Sequence, residues 1–481
     1  VRSPSVLLVN PNQMKPAIGP LALDYLGASL GQHGVAFSLL DLSFEPDADA
    51  AICRAADGER GDAVAVTVRN VDDCYFGSQD FVLARTKQLV RTLKEAFGLP
   101  IVCGGVGFST SPVAALAFLG ADYGVAGEGE DALPAIVRSL SAGEEPRGIP
   151  GIVVPGRERE AVVLARASLD TLDLSPRNVI DNARYFRDGG QAGIETKRGC
   201  DGACVYCADP VAKGREVRLR PPKNVAQEAA SLLRQGVTHW HTCDSEFNRP
   251  PEHALAVCAA LADAGLGDSM RWYAYCSPAV FSRELCVAMR DAGCVGINFG
   301  VDAGNADMLR RLGRDHSVDD IRAALGWCRE NRLAVMLDLL LGGPGETPAT
   351  VRQTVALMKQ LSPDRVGISL GIRVYAGTPL ARWLSSSAGG DTRVRLHSAG
   401  ETPWPFLAPT FVVSERLGEA PFALVAEEIG EDPRFFFVAP EAEARGYNYN
   451  ANDELVEAIR AGHRGAYWDV LRRVQDGLPQ A

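Results

Sequence analysis

The chain has 481 residues, 46% hydrophobic and 23% charged, which excludes wholesale disorder and leaves room for about three domains of roughly 150 residues each. Forty-nine Lys and Arg against 60 Asp and Glu give a net charge of −11, the wrong sign for a protein gripping nucleic acid through its phosphates. No apolar run approaches the roughly 18 residues of a membrane span; the longest, such as Val335–Leu341, are strand-length, and Asp338 interrupts that one.

Residues 1–20 lack a basic region followed by an apolar stretch, so no secretory signal is expected there and a cytoplasmic setting is. In that setting twelve cysteines read as metal ligands or core residues rather than as a disulfide framework. A small-molecule substrate is expected as partner, with no nucleic acid and no membrane.

Along the first 155 residues, short apolar runs that do not alternate are separated by helical patterns. Strands are expected at Val6–Asn10, Ala36–Leu42, Ala63–Val68, Pro100–Cys103 and Ala121–Val125, and helices at Leu21–Gln32, Asp80–Phe97 and Asp131–Leu140. This order implies an α/β fold, a Rossmann-like parallel sheet covered on both faces. Ligands of such sheets sit beyond the carboxyl ends of the strands. Those ends carry Asn10-Pro11-Asn12, Arg69-Asn70, Gly104-Gly105-Val106-Gly107 and Gly127-Glu128-Gly129-Glu130, loops in which backbone can approach a large flat ligand closely.

Residues 156–190 read as a Gly-, Pro-, Arg- and Glu-rich linker, preceded by a short apolar piece at Ile149–Val154. A second alternation begins at Gly193, with strands expected at Ile194–Lys197, Trp240–Cys243, Arg271–Cys276, Gly296–Gly300, Ala334–Leu341 and Arg365–Ser369. Helices are expected between them at Asn224–Gln235, Glu252–Ala264, Arg283–Ala292, Asp319–Glu330 and Thr347–Leu361. Six strand–helix repeats across residues 191–385 fit a partial (β/α)6 barrel better than a second Rossmann sheet. Residues 386–481 form a small, mostly helical carboxy-terminal region expected to cap the substrate, closing with helix at Asp453–Val474 and carrying two aromatic clusters, Gly446–Asn450 and Arg464–Trp468.

The chemistry concentrates after the first barrel strand. Cys200, Cys204 and Cys207 stand at C-x3-C-x2-C spacing in a Gly-containing loop. Three thiolates at this spacing hold three irons of a four-iron cluster and leave the fourth without a protein ligand. The alternative is structural zinc, which wants four protein ligands, and none of the other nine cysteines completes a second pair.

This loop, with Tyr206 before the third cysteine, resembles the signature of the radical S-adenosylmethionine (SAM) superfamily. Further agreements follow at the strand ends: Cys243-Asp244-Ser245-Glu246, Tyr273-Ala274-Tyr275-Cys276, Gly300-Val301-Asp302-Ala303-Gly304, Leu341-Gly342-Gly343-Pro344-Gly345-Glu346-Thr347 and Arg373-Val374-Tyr375-Ala376-Gly377-Thr378-Pro379. The resemblance implies a 4Fe-4S cluster on Cys200, Cys204 and Cys207. It places SAM among Tyr206, Asp244, Ser245, Glu246, Tyr275, Asp302, Gly343, Pro344 and Gly345. A carboxylate, Glu246 or else Asp244, would accept the hydrogens of the SAM amino group.

The amino-terminal domain resembles the cobalamin-binding domain fused ahead of the radical SAM core in one branch of that superfamily. The resemblance implies cobalamin among Asn10, Pro11, Asn12, Arg69, Asn70, Gly104, Gly105, Gly127 and Glu128. No Asp-x-His-x-x-Gly occurs and His33 is the region's single histidine, so base-off cobalamin is expected, with Arg69 facing cobalt. The alternative for Arg69 is a loop ion pair with Asp72 or Asp73.

Together these features imply a cobalamin-dependent radical SAM C-methyltransferase that carries methyl from SAM through methylcobalamin to carbon, by hydrogen abstraction or by direct attack of an electron-rich ring. Its substrate would be a natural product or an amino-acid or aromatic compound, and the resemblance implies an external one-electron reductant as partner. The rivals are a cyclisation or ring rearrangement with the same cofactors, and a cobalamin-sensing, metal-cluster binding protein.

Overall fold

The computed structural model describes residues 3–58, 61–157, 162–170, 172, 176–386, 393–400, 402–437 and 452–478. The amino-terminal sheet comprises β1 (Ser5–Asn10), β2 (Ala36–Asp41), β3 (Ala63–Thr67), β4 (Ile101–Gly104), β5 (Tyr123–Val125) and β6 (Ile152–Val153), in the order β2-β1-β3-β4-β5-β6. The first five are parallel and β6 runs antiparallel to β5. β3 is buried along its whole length, Ala63 to Thr67, as a central strand under helices on both faces must be. The helix Leu21–Gln32 covers one face of the sheet, and Val82–Phe97 with Pro112–Leu119 the other.

The second sheet holds β7 (Ala192–Ile194), β10 (His239–Thr242), β11 (Arg271–Cys276), β12 (Cys294–Asp302), β13 (Ala334–Leu341), β14 (Arg365–Leu370) and β18 (Phe435–Phe436), all parallel and in that spatial order. Its outward residues, among them Trp240, Trp272, Phe299, Leu337 and Ile368, pack under the surrounding helices in the largest core of the molecule. The inward positions of the same strands line the lumen of an open barrel.

Three expectations are corrected. The strand placed at Ile194–Lys197 splits: β7 stays in the sheet, while β8 (Lys197–Arg198) leaves it to pair antiparallel with β9 (Arg218–Leu219). This two-stranded ribbon brackets the cysteine loop. The sheet also gains β18, and among its described residues the carboxy-terminal region carries strands besides its helices. β16 (Val394–Ser398) and β17 (Thr410–Ser414) join β15 (Ile372–Arg373) in an antiparallel sheet, because Arg373 continues directly from the sixth barrel strand and offers an edge to pair. The expected linker carries a helix, Asn182–Gly189, capped by Asp181.

The two closing helices, Asp453–Arg460 and Tyr467–Gln475, plug the amino-terminal end of the barrel lumen. Trp468, Leu471 and Ile459 pack there with Tyr273 and Met336; the Tyr273 hydroxyl donates to Asp469 at 2.8 Å, and Arg365 pairs with Asp476 at 2.8 Å.

Candidate active site

A cavity of about 640 Å³ lies between the two sheets. One wall is built from strand-end loops of the amino-terminal sheet and the other from the inner face of the barrel. Asn10, Arg69, Asn70, Gly104, Gly105, Gly127 and Glu128 line it, as do His241, Tyr275 and Tyr467 on the barrel side. Pro11 and Asn12 do not. Asn12 turns away to cap its own loop, accepting from the Met14 amide at 2.9 Å, while its carbonyl accepts from Ser43. Asn10 reaches the wall, but its amide is committed to Asp41, Ser43 and the Tyr185 hydroxyl at 2.9–3.0 Å, so it props the loop. Glu128 is likewise engaged, by Arg218 and, at 3.3 Å, by Arg198; it ties the two domains together.

Arg69 has a different character. Asp72 pairs with buried Arg373 at 2.6 Å, and Asp73 accepts from Ser78. Among the described residues Arg69 therefore meets no carboxylate; its guanidinium donates to the Met14 sulfur at 3.4 Å. Its side chain stays open to the cavity, and the protein mass around it lowers its pKa below the ordinary arginine value, against the opposing pull of Tyr467, Cys243, Tyr275 and Cys74. It stays a cation on a largely apolar wall. Its loop is held by close backbone approach: an added Cβ would lie 2.7 Å from the Val68 carbonyl at Gly105 and 2.8 Å from the Arg69 carbonyl at Gly107. His33 ends its helix bound to the Ser29 carbonyl at 2.9 Å and does not line the cavity.

At the carboxyl end of the barrel, Cys200, Cys204 and Cys207 are free thiols in one loop. An added Cβ at Gly202 would lie 3.3 Å from Cys200 Sγ and 4.0 Å from Cys204 Sγ, so both sulfurs turn toward one hollow. Burial raises the pKa of all three thiols, and Cys207 lies near enough to feel the other two. Among the described residues no group of three His, Cys, Asp or Glu converges as a single-ion site. Two sulfurs facing one hollow, with the third near enough to interact with both, suit the corners of a cluster, whose irons each take one thiolate.

Arg314 organises this rim. It donates to Cys204 Sγ at 3.0 Å and to the Gly300 carbonyl at 2.5 Å, and pairs with Glu246 at 3.3 Å and Asp302 at 3.5 Å. Asp302 sits at a register shift in β12 with φ of 62°, an uncommon conformation for a side-chain-bearing residue. There it accepts from the Tyr206 hydroxyl at 2.5 Å. Glu246 also approaches Arg249 at 3.9 Å, and burial raises its pKa against the pull of both arginines.

Asp244 is placed otherwise than expected. Its oxygens accept from the Thr196 amide, the Thr196 hydroxyl and the Lys197 amide, so it pins the exit of β7 and leaves Glu246 as the carboxylate facing the cluster loop. Ser245 donates to Asp209. Gly343, Pro344 and Gly345 form the turn after β13, where Glu346 accepts from the Gly342 amide at 2.6 Å. The cluster Gly446–Asn450 lies outside the described residues.

Arg314 and His241 went unseen in the sequence, whereas Tyr467 belongs to the aromatic cluster Arg464–Trp468 expected near the substrate. Arg314 follows Arg310 and Arg311 at the end of a helix, where arginines ordinarily face solvent, and only the fold brings it to the cysteines. His241 alternates with Trp240 on a strand otherwise legible only as apolar.

Comparison with known proteins accords with this geometry. Residues 194–358 match the radical SAM superfamily and residues 13–137 the B12 binding domain. The tryptophan 2-C-methyltransferase of Streptomyces laurentii is 31% identical over 460 residues, 82% of this chain and 77% of that protein. The chain belongs to the cobalamin-dependent radical SAM methyltransferases. Within this family, the structure of the radical SAM methyltransferase TsrM from Kitasatospora setae, with tryptophan substrate and the SAM analogue aza-SAM bound, superposes with a TM-score of 0.89 at 30% identity, covering 98% of both chains. The structure of the same enzyme with cobalamin and a [4Fe-4S] cluster bound gives 0.87 at 28%. The cobalamin-dependent SAM radical enzyme OxsB shares the fold alone, with a TM-score of 0.69 at 15% identity over 86% of this chain and 64% of that one.

Proposed function

We propose that this C-methyltransferase acts on tryptophan or a close indole-bearing amino acid, with cobalamin in the cavity between the domains and SAM at the cysteine rim. The observation that carries this reading is the shared cavity: its Rossmann wall bears a cation, Arg69, that meets no carboxylate among the described residues, and its barrel wall the aromatic side chains His241, Tyr275 and Tyr467. The likeness to two tryptophan-acting relatives over nearly the whole chain supports the substrate class. We draw the domain boundaries at 155, 190 and 385.

When bound, SAM supplies the methyl group, cobalamin carries it and the cluster supplies redox chemistry. The protein's own contributions are local. Cys200, Cys204 and Cys207 hold the cluster, and Arg314 fixes the orientation of Cys204 and Glu246 by donating to both. Glu246 is the acceptor for the SAM amino hydrogens. Arg69 excludes water from its side of the cavity by bulk and repels any second cation by charge. An external one-electron reductant keeps the system active. The absence of disulfides among the described cysteines suits a reducing, cytoplasmic setting, and the net charge of −11 favours a small substrate over nucleic acid. No described helix is long and apolar enough to cross a membrane.

The test supplies cobalamin-loaded, cluster-reconstituted protein with tryptophan and SAM labelled in its methyl group. The expected products are tryptophan carrying the labelled methyl on a ring carbon and S-adenosylhomocysteine. Intact cofactors with neither product would overturn the reading.

A further inference from the structure

The loop that follows β3 leaves the Rossmann wall at Arg69 and crosses to the end of the sixth barrel strand. Its tip, Phe76, sits in an aromatic nest, stacked on Phe422 at 5.5 Å between ring centroids, with Phe411 at 5.6 Å and His397 edge-on at 4.9 Å. The barrel makes room for it with Gly371, where an added Cβ would lie 3.0 Å from the Phe76 ring. Beside the tip, Cys74 Sγ lies 2.8 Å from the Tyr375 hydroxyl. The root of the loop is fixed as closely, by the approach of Gly105 and Gly107 to its backbone. Packing therefore holds both ends, with no need of charge.

Charge nevertheless lies between those ends. The Asp72 side chain is fully buried; its Oδ2 accepts from Arg373 Nε at 2.6 Å and its Oδ1 from the Cys74 amide at 2.9 Å. The other guanidinium nitrogens of Arg373 donate to the carbonyls of Val374, Phe406 and Leu407, the last two at 3.2 Å. Those three acceptors are neutral, so Asp72 and Arg373 match one charge to one. A buried carboxylate that loses its cation is left uncompensated and is drawn to the next cation within reach. In this loop that cation is Arg69, three residues upstream, which meets no carboxylate among the described residues. Cys74 lies near enough to both Asp72 and Arg69 to feel each charge, so the two ends of such a pair already share a neighbour.

We infer that Arg373 is a positioning residue for Arg69: by keeping Asp72 in a matched buried pair, it stops that carboxylate from drawing Arg69 out of the cavity. Its part is to withhold a competitor rather than to prop the loop. This inference rests on the reading that Arg69 faces cobalt, and it gives the barrel domain control over what the Rossmann wall presents there. A neutral side chain at position 373 leaves the loop packed at both ends but its carboxylate unmatched, and Arg69 is the cation at hand to match it.

The experiment reads the cob(II)alamin EPR spectrum of cobalamin-loaded, cluster-reconstituted enzyme, with Arg69→Ala as the reference for cobalt open to water. Arg373→Gln, which keeps neutral donors and removes the charge, should lose the wild-type spectrum and take that of Arg69→Ala. Adding Asp72→Asn to Arg373→Gln should restore the wild-type spectrum, because an amide carries no charge with which to capture an arginine. Asp72→Asn alone should keep the wild-type spectrum, as should Arg373→Lys, which leaves a cation beside Asp72. A pair that merely props the loop gives the opposite pattern, in which both single losses disturb the spectrum and the double variant does not recover. That pattern, or a wild-type spectrum in Arg373→Gln, would overturn the inference. Iron and cobalamin content identify variants that have failed to fold. If Arg373→Gln is among them, Asp72→Asn and Arg373→Lys still decide, since an Arg69→Ala spectrum in either contradicts the inference. If Arg69→Ala changes the spectrum and Arg373→Gln does not, only this inference fails; if Arg69→Ala itself keeps the wild-type spectrum, the cobalt reading of Arg69 fails with it.

Discussion

Arg314 satisfies four groups from one side chain, and three of them, Cys204, Glu246 and Asp302, are anionic or become so. Such convergence needs a planar fork, which a lysine lacks. The cysteines it steadies carry the most direct test. Reconstituted protein should hold about four irons and four sulfides per chain, and the triple replacement of Cys200, Cys204 and Cys207 by Ala should remove the visible absorption and all SAM cleavage. A full cluster in that variant would refute the assignment. Arg69 carries the second test. Arg69→Ala should still bind cobalamin but admit a water, seen as a changed cob(II)alamin EPR spectrum, with slower turnover. Arg69→Lys should not restore the wild-type spectrum, since a flexible point charge fills the space differently. A variant with both spectrum and rate unchanged would reduce Arg69 to a loop residue.

At the scale of elements, the turn from Leu341 to Thr347 shows how a motif is supported from within. Glu346 is fully buried beneath it, accepting from Gly342, and one of its oxygens has no partner. Burial raises its pKa to about 7 against the backbone donors. A carboxyl whose folded pKa exceeds its unfolded one contributes stability that is full below the unfolded value and declines as pH rises through the folded one. The stability lost between about pH 4.5 and 7 should reach about 3 kcal/mol at most, and Glu346→Gln should flatten that decline in denaturant titrations. An unchanged slope would show that Glu346 titrates normally. Strands such as Arg271–Cys276 and Ala334–Leu341 were legible to the residue, because apolar-rich runs between helical patterns leave little choice. β16, β17 and β18 were not: β16 is half-exposed and β18 short, and what makes all three strands is an edge supplied by distant residues. The same reason hid the commitments of Asp244 and Glu128, whose partners lie far away in sequence.

Across the whole molecule, the two sheets are clasped by buried charge. Arg177, within the expected linker, pairs with Asp24 of the first domain at 2.5 Å and with Glu228 of the barrel at 2.7 Å; Arg220 joins Glu228 at 2.7 Å, and Arg198 joins Glu130 at 2.7 Å. Removing one partner of a buried pair strands the others and costs about 3–5 kcal/mol. Arg177→Met should therefore lower the melting temperature and split one calorimetric transition into two; a single unshifted transition would mean that the domains are held by packing alone. The helical plug bears on how the enzyme is loaded. With the amino-terminal end of the lumen stoppered by Trp468 and Leu471, the described residues leave no opening at that end, and a substrate in the lumen would share its route with the far larger corrin. Occupancy would then be ordered, each guest limiting when the other can enter or leave. Cobalamin should escape from diluted enzyme more slowly when tryptophan is present, whereas equal escape rates would reveal a second entrance.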